Sequence, residues 1–92
     1  MMGARVKAFG ARFFGRVDAE RLQFAIDYVD YNESGLAFET ICDYLIEMDA
    51  PLSEEEYRLA EELYRDMEMK WGGSCLKFMK AQIVTGNLAQ QS

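Results

Sequence analysis

The apolar residues of this chain recur every three or four positions, which is the period of an α-helix. Leu22, Ala25, Ile26 and Val29, for example, lie on one face of a helix at positions i, i+3, i+4 and i+7. No segment of useful length alternates apolar and polar residues as a half-buried strand does. The pattern therefore predicts an all-α fold, a small single-domain bundle of four to five helices joined by short turns.

Turn residues between the apolar stripes set the expected limits of the first two helices. Gly15 should end a first helix over about residues 3–14, because glycine is the usual residue at a helix C-terminus. Asp18 is the expected N-cap of a second helix that runs to about Tyr31.

Two further start signals follow in the middle of the chain. Asn32 or Ser34 is expected to cap a third helix, which should end near Met48. Ser53 and Glu56 have the spacing of a capping box, in which each side chain accepts from the other residue's backbone N–H. This pair predicts the start of a fourth helix.

The C-terminal quarter carries a weaker helical signal. Trp71–Gly73 interrupts the pattern, and residues 74–84 are expected to form a fifth helix. We expect residues 1–92 to be one domain in which about 3–85 are structured and 86–92 form a frayed tail.

Composition excludes several classes of function. Half of the 92 residues are hydrophobic, which is enough for one modest core. The chain contains no histidine, so Ser-His and Cys-His catalysis, histidine metal sites and a histidine pH switch are excluded. No glycine-rich phosphate loop is present, and without a predicted pocket the carboxylates are surface acids. We therefore expect no enzyme activity and no cofactor.

Cys42 and Cys75 are too few for a structural zinc site without other soft ligands. A single disulfide between them stays open, although two reduced, half-buried thiols are the simpler interpretation. Neither a signal peptide nor an apolar stretch long enough to span a membrane is recognisable. The expected location is the cytoplasm.

Charge is strongly segregated along the chain, which has a net charge of −6. All 16 acidic residues lie in residues 18–68 with only three arginines, a net charge of −13 for that segment. Residues 1–17 carry +4 and residues 69–92 carry +3. This balance argues against nucleic acid or an anionic membrane as partner and favours a basic protein.

In the expected fourth helix the acids have local partners, because Glu54 and Arg58, like Glu61 and Arg65, are spaced i,i+4. The expected third helix differs. Its acids follow one another at i, i+4 and i+8 on the side away from the core stripe, with no cation among them, and like charges at this spacing are destabilising. These three acids are Glu39, Asp43 and Glu47.

Further acids and three aromatic residues lie on or next to the second helix. Phe24, Tyr28 and Tyr31 are on its outer side, where they either pack against another helix or serve as anchors for a partner. The candidate partner-binding residues combine the exposed tyrosine with the acids that lack a cation. They are Asp27, Asp30, Tyr31, Glu33, Glu39, Asp43 and Glu47.

The segment that begins at Asp30 partly matches the calcium loop of an EF-hand. Asp30, Asn32, Ser34 and Gly35 occupy positions 1, 3, 5 and 6. Position 12 requires a bidentate glutamate but holds Ile41, and the apolar pattern already requires a helix there. We therefore expect no metal site.

Four segments resemble the MafI-type immunity proteins: Phe14–Asp18, Ala25–Val29, Tyr31–Leu45 and Pro51–Tyr57. The resemblance covers roughly residues 13–68, and its most specific parts are the corner Glu33–Glu39 and the segment Pro51–Tyr57. It does not extend past Trp71.

The resemblance implies a small helical bacterial protein that binds and neutralises a cognate polymorphic toxin C-terminal domain, commonly a nuclease. A basic nuclease cleft would suit the acidic residues of helices two and three. The alternative is a helical adaptor that joins a larger assembly through its exposed aromatic residues. Oligomeric state and toxin chemistry stay open.

Overall fold

The computed structural model describes residues 1–68 and 73–84, and this part of the chain contains five α-helices and no strand longer than an isolated bridge. The predicted all-α class is confirmed. The helices are α1 (Met2–Ala11), α2 (Ala19–Asp27), α3 (Ser34–Glu47), α4 (Glu54–Asp66) and α5 (Gly73–Lys80), with a 3-10 helix (Tyr28–Tyr31) between α2 and α3.

The first helix ends three residues earlier than predicted, at Ala11 rather than Phe14. The backbone N–H of Phe13 still bonds to the carbonyl of Gly10, and the Phe13 side chain is fully buried. A turn at Gly15, with φ of 96°, then reverses the chain. Because that backbone conformation suits glycine, Gly15 fixes the reversal, and the predicted helix end is wrong by one turn.

The second helix starts as predicted, with the Asp18 carboxylate accepting from the N–H of Arg21 at 3.0 Å. It remains α-helical only to Asp27 and tightens into the 3-10 helix that ends at Tyr31. Asn32 then adopts the left-handed conformation, with φ of 60°. Asn32 therefore ends this segment instead of capping the next one.

The predicted cap of α3 is also wrong. Glu33 occupies the N-cap position without a side-chain hydrogen bond to the backbone, and Ser34 is already the first helical residue.

Helix α3 is the centre of the bundle and contacts α1, α2 and α5. Its predicted core stripe is confirmed, since Phe38, Ile41, Cys42 and Leu45 are all fully buried. Helix α1 crosses this stripe closely at Gly10, where an added Cβ would lie 2.9 Å from atoms of both Ile26 and Ile41. The close approach therefore depends on the absence of a side chain at that position.

Helix α4 begins with the predicted capping box. The Ser53 hydroxyl accepts from the N–H of Glu56 at 3.1 Å, and the Glu56 carboxylate accepts from the N–H of Ser53 at 2.9 Å. Ala60 and Leu63 are buried where α4 packs against α1 and α5.

The fifth helix is shorter than predicted, ending at Lys80 instead of Val84. The following residues pair with the α3–α4 connection: the N–H of Leu52 bonds to the carbonyl of Gln82, and the N–H of Val84 bonds to the carbonyl of Leu52. The Gln82 side chain donates to the carbonyls of Leu45 and Ala50, both at 2.8 Å. The predicted frayed tail 86–92 lies outside the described residues.

Candidate interaction surface

The basic residues of the N-terminal segment are all used inside the molecule. Five ion pairs join them to acids of the 3-10 helix and of α4. These pairs are Arg5–Asp66 at 2.9 Å, Lys7–Asp30 at 2.7 Å, Arg12–Glu55 at 2.7 Å, Arg12–Glu56 at 3.3 Å and Arg16–Glu56 at 2.7 Å. The positive N-terminus therefore neutralises part of the acidic segment by tertiary contact.

The predicted local ion pairs of α4 are not formed. Among the described residues neither Glu54–Arg58 nor Glu61–Arg65 is an ion pair, and Arg65 instead approaches its neighbour Asp66 at 3.5 Å. The prediction failed because an exposed i,i+4 pair gains only a few tenths of a kcal/mol, which competing contacts easily exceed.

Glu56 is the one buried charged residue in the described part of the chain, and it is 4% exposed. Both terminal guanidinium nitrogens of Arg16, Nη1 and Nη2, donate to the Glu56 carboxylate, at 2.8 and 2.7 Å. Arg12 Nε adds a longer contact at 3.3 Å. Burial would raise the pKa of Glu56, but these hydrogen bonds and the Ser53 N–H outweigh it and lower the pKa to about 2. The cluster is satisfied internally, so its role is structural.

Three of the seven candidate residues have partners in the protein. Asp27 accepts from the side-chain amide of Gln23 at 2.8 Å. Asp30 pairs with Lys7, as described above. Glu47 pairs with Arg21 at 3.2 Å, so the prediction that no cation lies near the α3 stripe is wrong at this end of it. Arg21 lies on α2 and can contact Glu47 because α2 packs against α3.

Glu39 and Asp43 differ from these residues, since neither has an ion pair with any residue that the structure describes. Burial raises the pKa of Glu39, and the charge of Asp43 raises it further. Burial likewise raises the pKa of Asp43, with a further contribution from Glu47. Their ionised forms are therefore destabilised in the isolated protein. Glu33 is exposed at the start of α3.

The aromatic residues divide between surface and core. Tyr31 is 75% exposed and Phe24 is 59% exposed. Tyr28 is half-buried against the core, and its ring packs edge-on against Phe24 with centroids 5.3 Å apart. Phe24 and Tyr31 are therefore the accessible aromatic residues of this side, and Phe24 is one that our candidate set omitted although its position in the pattern indicated exposure.

The seven candidates do not share one compact patch. Asp30 pairs with Lys7 of α1, while Glu39 and Asp43 lie on α3, which packs against α5. Tyr31 and Glu33 lie at the corner between the 3-10 helix and α3. The arrangement is an acidic α3 stripe, comprising Glu39, Asp43 and Glu47, and a separate aromatic corner, comprising Phe24 on α2 and Tyr31 on the 3-10 helix that leads into α3.

The corner is not built as a calcium loop. Helix α3 already begins at Ser34, so the residues at loop positions 5 to 12 are helical. Within residues 1–68 and 73–84, no three acidic or cysteine residues are grouped so that they could hold a metal ion. In the same residues, no helix combines the length and apolar character needed to cross a membrane.

A shallow groove of about 240 Å³ lies between α1 and α4. It is lined by Arg5, Ala8, Phe9, Arg12, Leu59 and Leu63. Its only titratable groups are two arginines, both of which are ion-paired with acids of α4. An arginine in an ion pair is a poor proton donor or acceptor, so the groove offers no catalytic arrangement.

The sequence did not indicate one tertiary contact of chemical interest, the use of Glu56 as both a capping residue and a buried ion-pair partner. The i,i+4 spacing of Arg12 and Arg16 was a signal for this contact. Cys42 on α3 and Cys75 on α5 are both buried free thiols, on helices that pack against each other.

Comparison of the chain with protein-family models, with curated proteins and with solved structures gives no match in any of the three. The resemblance to MafI-type immunity proteins thus stays a prediction made from the residues.

Proposed function

We propose that this protein is an immunity protein that binds a cognate bacterial toxin domain and neutralises it. The partner would be a basic domain, with a nuclease as the best fit, and the complex would form in the cytoplasm. The proposal combines the sequence resemblance over residues 13–68 with the charge distribution of the folded chain.

The observation that carries the proposal is the state of Glu39 and Asp43. The cations of residues 1–17 pair with other acids, Arg21 pairs with Glu47, and none of the described cations forms an ion pair with Glu39 or Asp43. Their raised pKa values show that the charged forms lack stabilisation. A basic surface that docks on the α3 stripe would provide it and would speed association by electrostatic steering.

The aromatic corner would add non-polar contact area to such an interface. Tyr31 and Phe24 are rigid side chains with few rotatable bonds, and residues of this type commonly dominate binding energy. Because the corner lies beside the N-terminal end of α3, one partner could touch both the stripe and the corner without any change in the fold.

The experiment is co-expression in a bacterium of the toxin domain encoded next to this gene, with and without this protein. We expect survival only when both are present, together with a stable 1:1 complex. Killing regardless of this protein, with no complex on co-purification, would remove the proposal.

Charge reversal then tests the surface. The double variant Glu39→Lys with Asp43→Lys should weaken the complex at least tenfold, while the matched control Glu61→Lys with Glu62→Lys on exposed α4 positions should leave it unchanged. Equal affinities for both variants would reject the α3 stripe as the binding surface while keeping the immunity function.

The second candidate function is a helical adaptor, which the exposure of Phe24 and Tyr31 favours. In that case Phe24→Ala with Tyr31→Ala should abolish association with an assembly, and the protein should rescue no cell from any toxin. Tyr28 is a poorer test than the sequence suggested, because it is half-buried against the core.

A further inference from the structure

One exposed aromatic residue lies outside both the acidic α3 stripe and the aromatic corner. Phe78 on α5 is 62% exposed. A single exposed phenylalanine is common on protein surfaces, so its significance depends on what lies beside it.

The side of α5 that carries Phe78 faces α3. Of the described helices, α5 contacts α3 and α4, and it buries Cys75 and Met79 in the core. Leu76 and Lys80, each the residue after a buried one, line surface hollows formed with residues of α4. Successive residues of a helix are about 100° apart, and Phe78 comes directly before Met79. It therefore lies on the opposite flank from Lys80, the flank next to α3.

The end of α5 determines which part of α3 Phe78 lies beside. Gln82 donates to the carbonyl of Leu45, in the last turn of α3. Phe78 precedes Gln82 by four residues, which is about one helical turn. Phe78 therefore lies beside the C-terminal half of α3, where Asp43 and Glu47 are exposed.

A second exposed phenylalanine borders the stripe on its other side. Arg21, near the start of α2, pairs with Glu47 at the end of α3, and the end of α2 leads into the start of α3, so the two helices are antiparallel. Phe24 follows Arg21 by three residues, lies on the same flank of α2 and is 59% exposed. One turn forward on α2 corresponds to one turn back on α3, from Glu47 to Asp43. Phe24 therefore borders the stripe near Asp43.

Asp43 thus lies between two exposed phenylalanine residues on three adjacent helices. Its carboxylate is exposed and forms no ion pair within residues 1–68 and 73–84. A negative charge with apolar groups on both sides is complementary to a positive charge with apolar groups on both sides. A second copy of this chain is a poor source of that surface, because the chain has a net charge of −6 and the cations of its N-terminal segment are already paired.

We propose that Phe24, Asp43 and Phe78 form one docking surface, on which a basic domain places a lysine or arginine over Asp43 and apolar side chains over both rings. The inference rests on the proposed function and describes the part of the toxin domain that should make contact. It also adds α5 to the binding surface, although the sequence resemblance covers only residues 13–68.

The charged and the aromatic residues should affect binding differently. A charge acts over long distances and mainly raises the association rate, an effect that salt screens. An aromatic anchor acts only after contact, so its loss mainly raises the dissociation rate. This difference separates the two roles in one kinetic experiment.

The test measures the binding kinetics of the purified full chain with the toxin domain encoded next to this gene. We expect Phe24→Ala and Phe78→Ala each to weaken the complex at least tenfold through faster dissociation. Asp43→Asn should instead slow association, and its effect should decline as the salt concentration rises. The matched control is Phe14→Ala, which removes a 43% exposed phenylalanine in the turn between α1 and α2 and should leave both rates unchanged. Melting temperatures should stay the same, because each substituted phenylalanine is largely in contact with water.

A second measurement requires no variant. Hydroxyl-radical labelling of the natural protein should modify Phe24 and Phe78 less in the complex than in the protein alone, with equal labelling of Phe14. Unchanged dissociation rates together with unchanged labelling would overturn the docking surface and leave the proposed function intact. No complex with the natural protein would reject both. A dimer of the protein alone that protects Phe78 would also overturn the inference, since a second copy would then cover this face.

Discussion

Arg16 forms a bidentate ion pair with Glu56: Nη1 donates to Oε1 at 2.8 Å and Nη2 donates to Oε2 at 2.7 Å. The same guanidinium donates to the carbonyls of Pro51 and Arg12. It also lies over the ring of Phe13, 4.8 Å from the ring centroid. One side chain thereby connects the turn after α1, the α3–α4 connection and the capping box of α4.

This arrangement predicts a large cost for Glu56→Gln. The substitution keeps the size of the side chain but removes the charge that satisfies Arg16 and Arg12, in a nearly buried position. We expect the free energy of unfolding to fall by about 2–3 kcal/mol, measured by urea denaturation.

The matched control is Glu55→Gln, which removes a neighbouring carboxylate that also pairs with Arg12 but whose side chain is 72% exposed. Its expected cost is below about 1 kcal/mol. Equal costs for the two variants would contradict the role that we assign to the buried position.

The same carboxylate should make stability depend on pH. Its pKa falls from 4.5 in the unfolded chain to about 2 in the folded protein. Because the pKa is lower in the folded protein, the ionised carboxylate contributes its full stabilisation at pH values above the unfolded pKa. This contribution is lost as the pH falls from about 4.5 towards 2. We expect the difference in unfolding free energy between the natural protein and Glu56→Gln to shrink over that range.

Glu39 and Asp43 act in the opposite direction, because their folded pKa values are raised. They destabilise the fold above their folded pKa values, and acidification relieves this effect. Comparing the protein with Glu56→Gln cancels their contribution, since both chains contain them. A difference that stays constant down to pH 2 would show that Glu56 is not the titrating group.

Gly10 should not tolerate a side chain. In Gly10→Ala the new Cβ would meet Ile26 Cγ1 and Ile41 Cδ1 at 2.9 Å, so either these core side chains or the α1 backbone must shift. We expect a loss of about 1–3 kcal/mol in thermal or urea unfolding.

Gly35→Ala is the appropriate comparison, because Gly35 is also helical and an added Cβ there would meet nothing within 4 Å. Alanine favours helix by up to about 1 kcal/mol over glycine, so this variant should be unchanged or slightly more stable. A destabilised Gly35→Ala together with a neutral Gly10→Ala would mean that α1 does not cross the core where we place it.

Gln82 should matter more than an ordinary surface glutamine. Its amide donates to the carbonyls of Leu45 and Ala50, which lie at the end of α3 and in the turn that follows. Gln82→Ala removes both hydrogen bonds, and we expect a loss of about 1–2 kcal/mol with faster amide exchange in residues 81–84.

Gln23 is a suitable control, because its amide makes only an exposed hydrogen bond to Asp27. Gln23→Ala should cost less than about 0.5 kcal/mol. If the two alanine variants lost the same stability, the attachment of the C-terminal residues to the α3–α4 connection would not depend on Gln82.

Local patterns determined much of the fold. The apolar period in α3 placed its four core residues correctly, because a helix that buries one face must repeat its apolar residues at that spacing. Asp18 and Ser53 were located as caps for a similar reason: the first turn of a helix leaves N–H groups that nearby side chains satisfy. Both kinds of signal act over a few residues, so they can be read without knowledge of the fold.

Helix ends were less predictable. Residues after Ala11 and after Asp27 keep a helical apolar pattern, yet the chain leaves the α-helix there. At Gly15 and Asn32 a left-handed backbone reverses the chain so that neighbouring helices can pack. Similarly, residues 81–84 bond to Leu52 because that segment lies close in space.

The charged residues show the same difference between what the local sequence determines and what tertiary packing determines. The sequence alone determined that this protein is acidic, that seven of its ten basic residues lie in the two terminal segments and that a helix bundle is its architecture. Only the tertiary structure decided that Arg16 pairs with Glu56 and that Arg21 pairs with Glu47. Ion pairs depend on distances of a few ångströms between residues far apart in the chain, and packing of the helices sets those distances.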